Sequence, residues 1–238
     1  MPALFDLPTT GFLLIVGFLM PLGAWHGYRK LKRGEPLLPK LHRFRSMLLV
    51  QIALPFWALL AADSNDIHLS YRASLLHVAM GISIAILLLA AVARGWHKLE
   101  PARRERVLLL YGPENATQFY WLVAGGIAAG IGEEIVYRGV LFAMLSRFTS
   151  GVAAATIVCL IFFALAHATQ GVKSMLAVGY LGLIFHLCCF LTGSLFTAMT
   201  IHTIYDLGMF VRLYREHRTV AMDVHVQPES ALKAGSEP

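Results

Sequence analysis

The chain has 238 residues, of which 57% are hydrophobic and only 14% charged, with mean hydropathy +0.64. Soluble domains run about 45–50% apolar and about 25% charged, so the composition excludes an ordinary soluble enzyme and a disordered chain and points to a polytopic membrane protein. The net charge of +6 does not mark a nucleic-acid binder, because the basic residues recur in blocks between apolar runs (Arg29 to Arg45, Lys98 to Arg106, Arg212 to Arg218). That spacing follows the positive-inside rule.

The first apolar run, about Thr10 to Trp25, has no positive n-region and no small-residue cleavage site after it, so it reads as a retained helix. The second, Met47 to Ala62, is broken by the polar turn Asp63-Ser64-Asn65-Asp66. The third covers about Ala73 to Ala93. A basic, amphipathic segment from Arg94 to Gly112 follows and raises the alternative of an eighth element. The fourth run, about Thr117 to Phe148, exceeds the roughly 20 residues of a perpendicular span. It contains Gly126-x-x-x-Gly130, the small-residue spacing of closely packed membrane helices.

A fifth run spans Val152 to Ala168, a sixth about Val172 to Leu191, and Gly193-Ser194 separates it from the seventh, about Leu195 to Tyr214. The expectation is an all-α transmembrane bundle of about seven spans, with residues 1–214 as the integral domain and 215–238 as a polar, flexible tail. Basic loops after the first, third and seventh spans put the N-terminus outside and the C-terminus in the cytoplasm, and a bacterial inner membrane is the expected location. Cys159, Cys188 and Cys189 lie in apolar runs without metal-ligand or disulfide spacing and read as packing residues.

Three charges interrupt the fourth run: Glu133, Glu134 and Arg138. A charge near the bilayer centre costs about 2.5–3.5 kcal/mol on insertion scales, so this cluster requires a polar interior or partners and marks a functional site. At helical spacing Glu134 and Arg138 are stacked neighbours and read as an ion pair, which leaves Glu133 free for general-base work. His202 and Asp206 share the same spacing on the seventh run, and His167 stands near the end of the fifth. His77 and His186, also in apolar runs, lack acidic partners at helical spacing and read as packing or lumen-facing. Converged, the six residues supply a base for water, a histidine beside it, and polar groups for a developing oxyanion, which suffices for amide hydrolysis without a covalent intermediate.

Glu133-Glu134-x-x-x-Arg138, Phe163-x-x-x-His167 and His202-x-x-x-Asp206, in that order on successive apolar runs, resemble the three motifs of the CAAX-processing and bacteriocin-processing (Abi) family of glutamic intramembrane proteases. The resemblance covers roughly residues 125–210. It implies that Glu133 activates water with help from His167, that Glu134 and Arg138 hold the site in shape, and that His202 and Asp206 take the oxyanion position. The family often has Asn at the last place. An ionised Asp cannot donate a hydrogen bond, so Asp206 either is protonated or acts indirectly by orienting His202, and the second is the expectation.

The resemblance further implies a membrane-anchored protein or peptide substrate: a lipidated C-terminus, a bacteriocin precursor or a sorting tail. It implies no cofactor, no metal and no nucleic acid. Three rivals remain beside the intramembrane endopeptidase. A metal-dependent membrane protease would use Glu133, His167, His202 and Asp206 as ligands, although no His-Glu-x-x-His or Glu-x-x-His run is present. A non-catalytic binding or immunity protein would use the same polar cavity. A transporter would use the carboxylates as a proton relay, but the two halves show no internal repeat.

Overall fold

The computed structural model describes residues 6–149 and 151–233, with side chains described through Arg218. Its described elements are helical: α1 (Leu7–Lys32), α2 (Lys40–Asp63), α3 (Leu75–Trp96), α4 (Pro101–Tyr111), α5 (Ala116–Phe148), α6 (Val152–Ala166), α7 (Val172–Thr192) and α8 (Leu195–Lys233). Five of these, α1, α2, α3, α5 and α7, are long and apolar enough to cross a membrane, and α6 is a shorter apolar helix of 15 residues. The seventh expected span corresponds to the first half of α8, which is not among the five. That helix continues past Tyr214, where the apolar run ends, because no Gly or Pro interrupts residues 209–227, and it passes through Pro228 to end at Lys233. The remainder of the expected tail, residues 234–238, lies outside the described residues.

Side-chain caps start several helices. Asp6, Ser74 and Asn115 each accept a hydrogen bond from the backbone N–H three residues on, satisfying an otherwise orphan donor of α1, α3 and α5. Gly193, in the left-handed region at φ +62°, ends α7 and lets the chain reverse into α8.

Long apolar side chains cover the outside of the bundle, among them Phe18, Leu49, Phe56, Leu87, Ile157, Leu176 and Phe190. In water such a surface would drive aggregation; against acyl chains it costs nothing, and the helices satisfy their own backbone groups. The protein is therefore an integral membrane bundle, and its polar residues collect inside.

α5 is the central helix, flanked by α2 and α8. Glycine permits the close approach. A Cβ on Gly130 would lie 2.8 Å from the Thr203 backbone of α8, and one on Gly132 would lie 2.8 Å from the Gln51 carbonyl oxygen of α2. The small-residue spacing in α5 thus faces α8, as close helix packing requires.

The two ends of the bundle differ chemically. At one end Arg43 donates to the carbonyls of Leu109 and Leu110, Lys40 to that of Gly112, and Gln170 to the Tyr111 hydroxyl. These bonds strap α4 across the basic loops. At the other end Arg147 donates to the Asn65 carbonyl, the Leu195 N–H to the Ser70 carbonyl, and Ser194 to the Arg72 carbonyl. The tethering bonds sort the loops into two sets consistent with successive helices alternating in direction.

Candidate active site

The charged cluster of α5 falls where the helix changes its winding. Residues Glu134–Leu141 form a π-helical segment with bonds one residue longer than in an α-helix. Such wide turns are rare and concentrate at functional sites. Here the segment begins directly after Glu133, and it buries Glu134, Tyr137 and Arg138 together.

Glu134 is fully buried. Its Oε1 accepts from Arg138 Nη1 at 3.2 Å and lies 2.8 Å from His202 Nδ1. Arg138 uses Nη2 to reach the Gly182 carbonyl at 3.1 Å, and its guanidinium lies over the Phe163 ring at 4.2 Å. A Cβ on Gly182 would stand 2.8 Å from that nitrogen, so the absent side chain is what admits the arginine. The pair expected from sequence is present, and it carries a third member from α8.

The bond to Glu134 fixes the His202 ring. A carboxylate that already takes the Arg138 proton donor is an acceptor, so Nδ1–H of His202 donates and Nε2 faces the cavity. Asp206 stands differently from its expected role. Its Oδ2 is 3.7 Å from His202 Nε2, beyond a hydrogen bond, and it is the more exposed of the two. Glu134, not Asp206, makes the orienting contact. Sequence spacing put Asp206 on the face of His202 but could not show that the other ring nitrogen already had a partner across the helix interface.

His167 sits at the C-terminal cap of α6, where the helix ends at φ −100°, ψ 12° and a short 3₁₀ turn (Ala168–Gln170) begins. Its Nδ1 lies 2.8 Å from the Phe163 carbonyl oxygen. A carbonyl only accepts, so Nδ1–H donates and Nε2 faces the cavity.

Glu133 lies between the two histidines. Its Oε2 is 3.9 Å from Nε2 of His167 and 3.9 Å from Nε2 of His202, and it is buried without a hydrogen-bond partner among the described residues. Its other oxygen accepts from Gln51 Nε2 at 2.6 Å. Gln51 is a site residue that the motifs do not contain. The available signal is its isolation as the one amide in the apolar run Met47 to Ala62. Pro55, four residues on, cannot donate to the Gln51 carbonyl, and the lost helical bond opens the backbone there to close contact with Gly132.

A cavity of about 460 Å³ contains these groups. Glu133, His167, His202, Asp206, Gln51 and Tyr137 line its polar part, and side chains such as Met20, Val92, Leu181 and Phe210 line the rest. Arg103, Val107 and Tyr111 of α4 also contribute, so the cavity reaches the basic end of the bundle. The Tyr111 phenol, enclosed there, is held above its ordinary pKa by burial. Tyr137 is 1% exposed, its ring meets Phe163 edge-on at 5.0 Å, and its hydroxyl has no hydrogen-bond partner among the described residues. An unpaired buried hydroxyl costs about 1–3 kcal/mol.

Among the described residues no three His, Cys, Asp or Glu side chains converge as a metal-binding group. His186 is buried on the far side of Arg138, where its Nε2 meets the Thr156 hydroxyl at 2.9 Å and its ring packs edge-on against Phe142. It belongs to a separate apolar cavity of about 330 Å³.

Residues 115–208 match the family model described as Rce1-like, type II CAAX prenyl endopeptidase. All six residues of the cluster lie inside the matched segment, while Gln51 and α4 lie outside it. The match independently supports the CAAX-protease family that the three motifs resemble. No curated protein and no solved structure matches the chain.

Proposed function

From the premise that residues 115–208 carry the CAAX-protease family, we propose that the chain is a glutamic intramembrane endopeptidase in which Glu133 activates the attacking water. The observation that carries this reading is the free Oε2 of Glu133, buried and 3.9 Å from the Nε2 atoms of two fixed histidines. Two bonds of about 2.8 Å meeting at about 90° span such a gap, so one water fits between Glu133 and His167. Both groups accept. The water then points its hydrogens at them and its lone pair into the cavity.

In the attack, the water oxygen bonds to the scissile carbonyl carbon, one water proton passes to Glu133, and the carbonyl electrons move to oxygen. Collapse of the tetrahedral species breaks the C–N bond, and Glu133 returns the proton to the leaving nitrogen. Gln51 holds the unreactive oxygen of the base throughout. Glu134 and Arg138 hold His202, which with Asp206 faces the oxygen of the substrate. The chemistry involves no covalent intermediate and no cofactor.

The cavity extends to α4 at the basic end, which the positive-inside rule assigns to the cytoplasm, with the N-terminus of α1 outside. A bacterial inner membrane fits this orientation. The substrate is therefore a membrane-associated protein or peptide that enters from the cytoplasmic leaflet, its apolar part against Met20, Val92 and Leu181.

The test is cleavage of an internally quenched, farnesylated C-terminal peptide by the protein in proteoliposomes. Wild-type protein cleaves and folded Glu133→Gln does not; equal cleavage by both would remove Glu133 as the base. In cells, a new membrane-protein terminus that vanishes with Glu133→Gln identifies the natural substrate.

A further inference from the structure

Resting on the endopeptidase reading, a count of donors and acceptors around the cavity leaves one demand unmet. The tetrahedral oxyanion needs donors, and the groups nearest Glu133 are acceptors or have their N–H groups engaged. His167 spends its N–H on the Phe163 carbonyl. His202 spends Nδ1–H on Glu134, and its Nε2 lies 3.7 Å and 3.9 Å from two competing carboxylates. Asp206 as a carboxylate only accepts, where a neutral amide would have donated. One N–H of Gln51 is committed to Glu133.

Of the donors that line the cavity, which also include Arg103, Ser174 and Tyr205, two are buried without a hydrogen-bond partner among the described residues, the Tyr137 hydroxyl and Trp96 Nε1. Trp96 belongs to the apolar cluster of Phe44, Leu122, Phe210 and Leu213, with Arg212 lying 5.0 Å over its ring. Tyr137 belongs to the cluster that holds Phe163 and Val136, next to the reacting groups. It follows Glu133 by four residues, so it sits one turn further along the cavity-facing side of α5. Helical side chains lean toward the N-terminus, which brings its ring back toward the Glu133 turn. Phe163 fixes that ring edge-on, and the same residue supplies the carbonyl that orients His167.

We propose that the Tyr137 hydroxyl donates a hydrogen bond to the oxyanion of the tetrahedral intermediate, as a catalytic residue additional to the three motifs. Its proton stays on the phenol. The bond forms as negative charge builds on the carbonyl oxygen and is released when the C–N bond breaks. A donor that is buried and unpaired before the reaction needs no reorganisation to serve this role.

Tyr137→Phe removes the oxygen and keeps the ring that packs on Phe163. In the farnesylated-peptide assay, kcat falls about 100- to 1,000-fold with KM within about twofold of wild type. A phosphinate analogue of the scissile bond binds Tyr137→Phe more weakly by a similar factor, while the cleaved product peptide binds equally to both proteins. Thermal unfolding occurs at or above the wild-type temperature, because the variant removes an unsatisfied group. The proposal is overturned if kcat stays within about threefold of wild type, if analogue and product lose affinity equally, or if the loss of activity tracks a lowered unfolding temperature. Wild-type and Glu133→Gln protein in the same preparation separate this failure from that of the underlying reading: a fully active Glu133→Gln protein removes Glu133 as the base, and no cleavage by folded wild-type protein ends the endopeptidase reading itself.

Discussion

Gln51→Leu gives the sharpest test of how the bundle holds its base. The amide donates to Glu133 Oε1 at 2.6 Å from a helix outside the matched segment, and its own oxygen is buried without a partner. Leucine of similar size removes both, so the bond is lost while the strain of the unpaired oxygen is relieved. A hydrogen bond to a charged group is worth about 1.5–3 kcal/mol. If the catalytic geometry of Glu133 depends on that bond, the loss appears as about a 10- to 100-fold fall in kcat/KM. Steady-state cleavage of the farnesylated peptide in proteoliposomes measures it, with unfolding temperature recorded in parallel. Activity within twofold of wild type would refute the claim that Gln51 acts through Glu133.

Arg138→Ala leaves Glu134 fully buried without its cation and lowers stability by about 3–5 kcal/mol, read from thermal unfolding in detergent. Arg138→Lys recovers only part of this, because a lysine cannot reach both Glu134 and the Gly182 carbonyl with a planar fork. Gly130→Val forces α5 and α8 apart at Thr203 and separates Glu133 from His202; cleavage is lost, and a cysteine pair engineered across α5 and α8 cross-links more slowly than in the parent. Asp206→Asn supplies an amide donor at the same place and retains activity within about tenfold of wild type, whereas Asp206→Ala falls further in the same assay. Prolonged chelation leaves cleavage unchanged; a loss restored by a divalent metal would instead favour the metal-dependent rival.

Much of the bundle is legible from hydropathy because a membrane allows few solutions to backbone hydrogen bonding. The residues at the centre are legible for the complementary reason: Glu133, Glu134 and Arg138 are too costly in lipid to be there without partners. Spacing paired Glu134 with Arg138 because both lie on one helix. It could not supply the third contact, from Glu134 to His202, which depends on α5 meeting α8 through Gly130. For the same reason it assigned the orientation of His202 to Asp206, the nearest acid in sequence. Gln51 escaped notice because one amide in a long apolar run is chemically quiet until its partner is known. The seventh apolar run ends at Tyr214 but its helix does not, since hydropathy reports where lipid contact stops and not where backbone winding stops.

The wide turn of α5 makes this helix unusually sensitive to length. Dropping Gly139 or Val140 would let the segment relax into ordinary α-winding and change the angular offset between the residues after Leu141 and those before Glu133. Glu134 and Arg138 would stay stacked, while the residues beyond them lost their register with α2 and α8. In this segment a single-codon deletion is therefore a larger event than most substitutions, and comparisons across related chains must treat the count of residues from Glu133 to Phe142 as part of the site.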